Sequence, residues 1–138
     1  MLKLTALDPA DLEIISAHMQ DAVITIGDIR YLKASAKFAL IGNRFLWQTR
    51  KAPYERRRTG LSFDRVLSAK SHRIRQGADD AVLSLLAVSF TPDEEPSGTI
   101  TLTFSGDGAI ELKVECIEAR LEDLGPAWST PNLPSHEH

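Results

Sequence analysis

Residues 98–124, GTITLTFSGDGAIELKVECIEARLEDL, constrain the fold of this chain more than any other stretch. Ile100, Leu102 and Phe104 alternate with Thr99, Thr101 and Thr103. A period of two puts one face of a strand into a core and leaves β-branched residues on the other. Gly106-Asp107-Gly108 follows, and its glycines can take the positive φ of a tight hairpin turn. Ile110, Leu112, Val114 and Cys116 then resume the alternation against Glu111, Lys113 and Glu115. Two strands joined by so short a turn are antiparallel neighbours. Beyond Cys116 the period changes. Ile117, Leu121 and Leu124 stand at i, i+4 and i+7 among the helix formers Glu118, Ala119, Arg120 and Glu122. That spacing predicts a short C-terminal helix, stopped by Gly125-Pro126. A bulged strand running on to about Leu121 is the alternative reading of the same residues.

The rest of the chain supplies what that hairpin must pack against. Leu2 and Leu4 flank Lys3 in a very short opening strand. Asp8-Pro9 reads as a helix start, with Asp8 as cap, Pro9 in the first turn and Asp11 near the positive end of the helix dipole. Leu12, Ile15 and Met19 form the apolar stripe of that helix, with Ile14 off it. Val23, Ile24, Ile26, Ile29, Tyr31 and Leu32 predict a strand kinked at Gly27-Asp28. Residues 33–36 make a hairpin loop, and Phe38, Leu40, Phe45 and Trp47 a second strand with a bulge at Gly42-Asn43. Residues 48–58, QTRKAPYERRR, read as a basic loop broken by Pro53. Leu61, Phe63, Val66 and Leu67 open a long strand that runs toward Ile74, and residues 76–80 a turn. Residues 82–90, VLSLLAVSF, are nearly continuously apolar, the pattern of a central strand covered on both faces.

The fold class expected is α+β, mostly β. An N-terminal helix packs on a curled antiparallel meander of about six strands, with a short C-terminal helix. A pleckstrin-homology-like barrel is one form of it, by analogy of element order alone. The 138 residues make one domain over residues 1–128, followed by a flexible Pro-rich tail over residues 129–138. A chain of this size buries about two thirds of its unfolded surface and needs no staple. The single cysteine, Cys116, excludes an internal disulfide and reads as buried and inert. No run approaches the ~18 apolar residues of a membrane span, and MLKLTALDPAD lacks signal-peptide architecture, so no membrane and a cytoplasmic location are expected.

Charge is the main functional clue. Residues 30–75 hold thirteen of the sixteen Lys and Arg against only Glu55 and Asp64; the remainder holds three basic and seventeen acidic residues. The middle third is therefore about +11 and the rest about −14, an asymmetry that suggests a partner surface. Arg44, Arg50, Lys51, Arg56, Arg57, Arg58 and Arg65 gather in one strand–loop–strand region, with Trp47 and Tyr54 among them. Arginine forks suit phosphate or carboxylate, and aromatic rings add stacking. The candidate anion- or partner-binding residues are Arg44, Trp47, Arg56, Arg57, Arg58 and Arg65. The alternative is that this basic segment pairs with the acidic end of the same chain or of a second copy. Glu111, Glu115, Glu118 and Glu122 would then be a solvated row or partners for nearby arginines. No Gly-x-Ser-x-Gly, phosphate-loop or dinucleotide glycine pattern occurs. Neither the paired acids in the turns nor His136 and His138 form a metal-ligand pattern, and no cofactor or metal is expected.

The stretches DLEIISAHMQDAV, GDIRYL, FALIGNRFLWQ, RRTGLSFDRVLS and, above all, GAIELKVECIEARLEDLGPAW resemble DUF2948, a family of small alphaproteobacterial proteins. They span nearly the whole chain except the tail. The family carries no assigned activity, so the resemblance implies no catalytic residues. The expected function is a non-catalytic interaction module that binds a protein partner or itself as a homodimer through opposite charges; the reading leans away from an enzyme. The alternative is a binding protein or enzyme for a phosphorylated or anionic small molecule held by the basic 44–65 region. RNA binding ranks last.

Overall fold

The computed structural model describes residues 1–47, 54–75 and 77–130, with residues 129 and 130 described through their backbone alone. Its elements are β1 (Lys3–Ala6), α1 (Pro9–Met19), β2 (Ala22–Leu32), β3 (Lys37–Phe45), β4 (Tyr54–Phe63), β5 (Val66–His72), β6 (Val82–Pro92), β7 (Gly98–Phe104), β8 (Ala109–Val114), β9 (Ala119–Asp123) and β10 (Trp128–Thr130). Nine strands form one antiparallel path in the order β1-β9-β4-β3-β2-β6-β7-β8-β5, and β10 pairs β4 off that path. The fold is α+β and mostly β. The expected six-strand meander is corrected to two three-stranded meanders, β2-β3-β4 and β6-β7-β8, joined where β2 pairs β6.

Two bends decide the rest. The long strand expected from Leu61 toward Ile74 breaks at Asp64-Arg65, where Arg65 takes φ 60°, and β5 crosses to pair β8. Residues 115–118 turn the chain in the same way, and β9 crosses back to pair β4. The bends are tied together by Asp64 N–H donating to Glu118 O at 2.9 Å and Glu115 N–H donating to Arg65 O at 3.1 Å. The path ends at β1 and β5. The sheet is open, so the pleckstrin-homology-like barrel is not what forms.

The expected C-terminal helix is a strand. Ala119, Leu121 and Asp123 are buried, while Arg120, Glu122 and Leu124 are exposed, which is a period of two. A helix of two turns is marginal in water. As a strand, residues 119–123 lie between β1 and β4, with Leu121 opposite both Leu4 and Leu61, so both backbone edges find partners.

α1 forms as expected. The Asp8 carboxylate accepts from Asp11 N–H at 2.8 Å, and Leu12, Ile15 and Met19 are buried, the stripe that periodicity predicts. Ile14 stays exposed. β6 pairs β2 only from Val82 to Leu85. Past that point α1 covers its edge, and Ser16 Oγ accepts from Val88 N–H at 2.9 Å. β6 does lie between β2 and β7, but it is not covered on both faces, since Val82 and Ser89 are exposed. One core joins the helix to both meanders, with Ile24, Leu40, Phe63, Leu85, Leu102 and Leu112 among its members.

Three local expectations resolve differently from one another. The kink at Gly27-Asp28 is a register shift between Ile24 and Ile29. The bulge at Gly42-Asn43 does not occur, since β3 pairs β4 without a shift from Phe38 to Phe45. The apparent phase slip arises because Phe45 is buried on the opposite face from Leu40. In the β7–β8 turn the positive φ angles belong to Gly106 and Asp107, not to Gly108. The expected loop over residues 48–58 is a strand from Tyr54 onward. Ser129 and Thr130, the first two residues of the expected 129–138 tail, belong to β10; residues 48–53 and the rest of that tail lie outside the described residues.

Candidate functional site

Asp123 is the hub of the arginine cluster. It ends β9 on the inward phase and is 3% exposed. Arg44 Nε and Nη2 donate to its two oxygens at 2.8 and 2.9 Å, a bidentate pair that matches guanidinium to carboxylate. Thr59 Oγ1 donates at 2.8 Å and Leu2 N–H at 2.7 Å. Arg57 Nη1 lies 3.5 Å from Oδ2, and the buried Arg57 Nε has no hydrogen-bond acceptor among the described residues. Register explains the convergence: Arg44 is opposite Arg57 and Thr59 is opposite Asp123, and directly opposed residues share a face. Burial alone would push the Asp123 carboxyl up. The bonds from Arg44, Leu2 and Thr59, with the charge of Arg44, outweigh it and hold the group well below the usual carboxylate range.

His18, in the last turn of α1, lies within electrostatic reach of the same pair. Burial first, then the Arg44 charge, lowers its pKa, and Asp123 opposes them only in part.

The other face of β4 carries Arg56 and Arg58. Arg56 Nη1 donates to Asn43 O at 2.9 Å and reaches Asp21 O at 3.4 Å. Its guanidinium lies 5.6 Å from the centre of the Phe45 ring, within cation–π range. Burial lowers the Arg56 pKa, and Asp21 opposes the shift. Phe45 is covered further by Trp47 and Tyr54, at 4.7 and 5.9 Å between ring centres. Trp47 Nε1 donates to Gln20 O at 3.1 Å, fixing this strand end to the end of α1.

Of the six candidate residues, the fold brings Arg44 and Arg57 together inside and places Arg56 and Trp47 around Phe45. Arg65 stands apart at the β4–β5 bend, 3.8 Å from Glu115 and 3.9 Å from Glu118. Arg58 is exposed, and no hydrogen bond or ion pair engages its side chain among the described residues. It sits two positions from Arg56, on the face where Trp128 opposes Arg56 and where Leu124 reaches over Gly60. Leu124 is 50% exposed and Trp128 41%.

The charge asymmetry of the sequence is therefore met in part within one chain. Arg44 and Arg57 meet Asp123, Arg65 meets Glu115 and Glu118, and Arg73 meets Asp107. Topology causes this, because β4 lies beside β9, which ends in Asp123, and the ends of β5 lie beside the acidic turns that flank β8. The carboxylate row finds partners: Glu111 is hydrogen-bonded to His72 and Glu122 meets Lys3. Cys116, expected to be buried, is only half-buried, because the chain leaves β8 at Val114 and Ile117 takes the inward place.

The family model described as Protein of unknown function (DUF2948) matches residues 2–136 of the chain. The chain belongs to the DUF2948 family. No curated protein and no solved structure matches it. Among the described residues no helix is long and apolar enough to cross a membrane, and no three His, Cys, Asp or Glu side chains cluster as metal ligands.

Sequence reasoning missed Asp123, Thr59, His18, Leu124 and Trp128. A signal for Asp123 was present. It continues the inward phase of Ala119 and Leu121, and a carboxylate in an apolar phase needs a buried cation. The helical reading of that stretch hid the phase.

Proposed function

We propose that this DUF2948 protein is a non-catalytic interaction module that docks a protein partner on the outward face of β4, β9 and β10, around Arg58. One observation carries the reading: Arg58 is an exposed arginine without a side-chain partner among the described residues, on one face with exposed Leu124 and Trp128. Arginine and tryptophan are enriched among the few residues that dominate binding energy at interfaces. The arginines that would make a deeper anion site are already engaged, by a carboxylate or by backbone carbonyls. The same internal engagement weakens the case for a homodimer held by opposite charges. The reading assumes the cytoplasm as its compartment.

The test compares wild-type, Arg58→Glu and Trp128→Ala proteins, immobilised and exposed to cell extract. A partner retained by the wild type and lost by both folded variants supports this face. A partner retained equally by all three removes it.

The second reading is an anionic ligand on the same face, favoured by the exposed cation of Arg58 on the face that also carries Trp128. A low-salt thermal-shift screen with nucleotides, sugar phosphates, dicarboxylates and short RNA addresses it. A saturable rise in Tm that Arg58→Glu abolishes would replace the protein-partner reading. A rise with RNA that falls steeply with added salt would point to nucleic acid.

A further inference from the structure

A pocket of 270 Å³ opens where four connections meet. These are the entry to α1, the far end of β6, the loop before β7 and the bend between β8 and β9. Leu7, Phe90, Cys116 and Ile117 give it an apolar lining, and its polar side chains are two carboxylates, Asp8 and Glu95. Leu7 is 65% exposed, an apolar side chain held at the mouth. Among the described residues no lysine or arginine lines the pocket. Asp8 is partly committed to capping α1. Glu95 is exposed and has no hydrogen bond or ion pair among the described residues, and Asp93 and Glu94 share its loop. The volume is below the roughly 300 Å³ at which drug-sized sites begin, so it suits a side chain or two rather than a cofactor.

We propose that this pocket receives a segment of another protein that presents an apolar side chain beside a lysine or arginine. The apolar side chain fills the cleft against Leu7, Phe90 and Ile117, and its basic neighbour meets Glu95 at the rim. Charge complementarity selects this occupant. A purely apolar segment would leave the rim carboxylates unanswered, and an acidic one would be repelled by them. The proposal is independent of the Arg58 face and stands on a different surface.

Cys116 supplies the reporter, because it is the only cysteine of the chain and lines the pocket. Its labelling by N-ethylmaleimide is followed on the full chain with short capped peptides carrying Lys-Leu-Lys or Glu-Leu-Glu, alongside the methyl signals of Leu7 and Ile117. The expected result is severalfold, saturable slowing of labelling and shifted methyl signals with the lysine peptide alone, both lost in Glu95→Lys. Equal effects from the two peptides would overturn the proposal in favour of an unselective crevice. So would the absence of both slowing and shifts. Slowing that grows with protein concentration without peptide would overturn it in favour of a second copy as occupant.

Discussion

Arg44 and Asp123, 79 residues apart in sequence, share two hydrogen bonds of 2.8 and 2.9 Å in the buried interior. Asp123→Ala would leave Arg44 buried without its counter-charge and strip Arg57 of its nearest carboxylate. Breaking one partner of a buried pair costs about 3–5 kcal/mol. Urea unfolding should show a loss of that size. Thr59→Val removes one hydrogen bond to the same carboxylate and should cost less, about 1–3 kcal/mol. If the two variants unfold at the wild-type midpoint, the pair is not the anchor of β9.

The depressed pKa of Asp123 sets an acid limit. A carboxyl held below its unfolded value, about 3.9, contributes stability that is present above that value and lost as the pH falls toward the folded one. The Tm should therefore fall progressively below about pH 4. Asp123→Asn should start from a lower Tm and respond less to acid over that range.

His18 acts at milder pH. Its folded pKa is lowered by burial and by Arg44. The unfolded chain then takes up the proton first, from the ordinary value near 6.5 downward. Stability should fall as the pH drops below that value, until the folded His18 is protonated too. His18→Gln should flatten this segment of the Tm profile and leave the Asp123 segment in place. An unchanged profile would mean that His18 does not titrate differently on folding.

Gly98 and Gly125 make a paired test of packing. A Cβ on Gly98 would stand 2.5 Å from Thr91 O and 2.6 Å from Phe90 Cζ, whereas one on Gly125 meets nothing within 4 Å. Gly98→Ala must displace backbone and should cost about 1–3 kcal/mol. Gly125→Ala should be neutral, or stabilising by about 0.4–1 kcal/mol through the unfolded chain. Denaturant midpoints of both variants decide the comparison.

Neighbouring arginines on β4 should separate stability from recognition. Arg57→Ala removes an inward guanidinium beside Asp123 and should lower the denaturant midpoint measurably. Arg58→Ala should stay within about 0.5 kcal/mol of wild type, as surface changes do. Equal losses would show that Arg58 is structural and would remove it as a docking residue.

Local chemistry made several elements readable. The Asp8-Pro9 start and the Leu12, Ile15, Met19 stripe specify α1, because a cap and a 3.6-residue period act within a few turns. The Thr and Ile alternation specifies β7, and Gly106-Asp107 its turn to β8, because strand faces and positive φ are decided by adjacent residues. The two meanders follow, since short turns make consecutive strands neighbours. Residues 117–124 were ambiguous, because Leu121 and Leu124 satisfy a helical stripe as well as part of a strand. Only the open edges of β1 and β4 resolved them, and that resolution sent Leu121 inward and Leu124 out.

The candidate site divides along the same line. Composition alone determined that residues 30–75 are basic and the rest acidic, and the run 56–58 marked arginines worth testing. Tertiary structure decided which of them remain available. Crossing at Asp64-Arg65 and at residues 115–118 laid β4 beside β9 and β5 beside β8, so charges distant in sequence became neighbours. Strand alternation then turned Arg57 inward to Asp123 and Arg58 outward to solvent. Coulombic attraction acts through space and alternation through register, and register is set by pairing partners that no local stretch of sequence names.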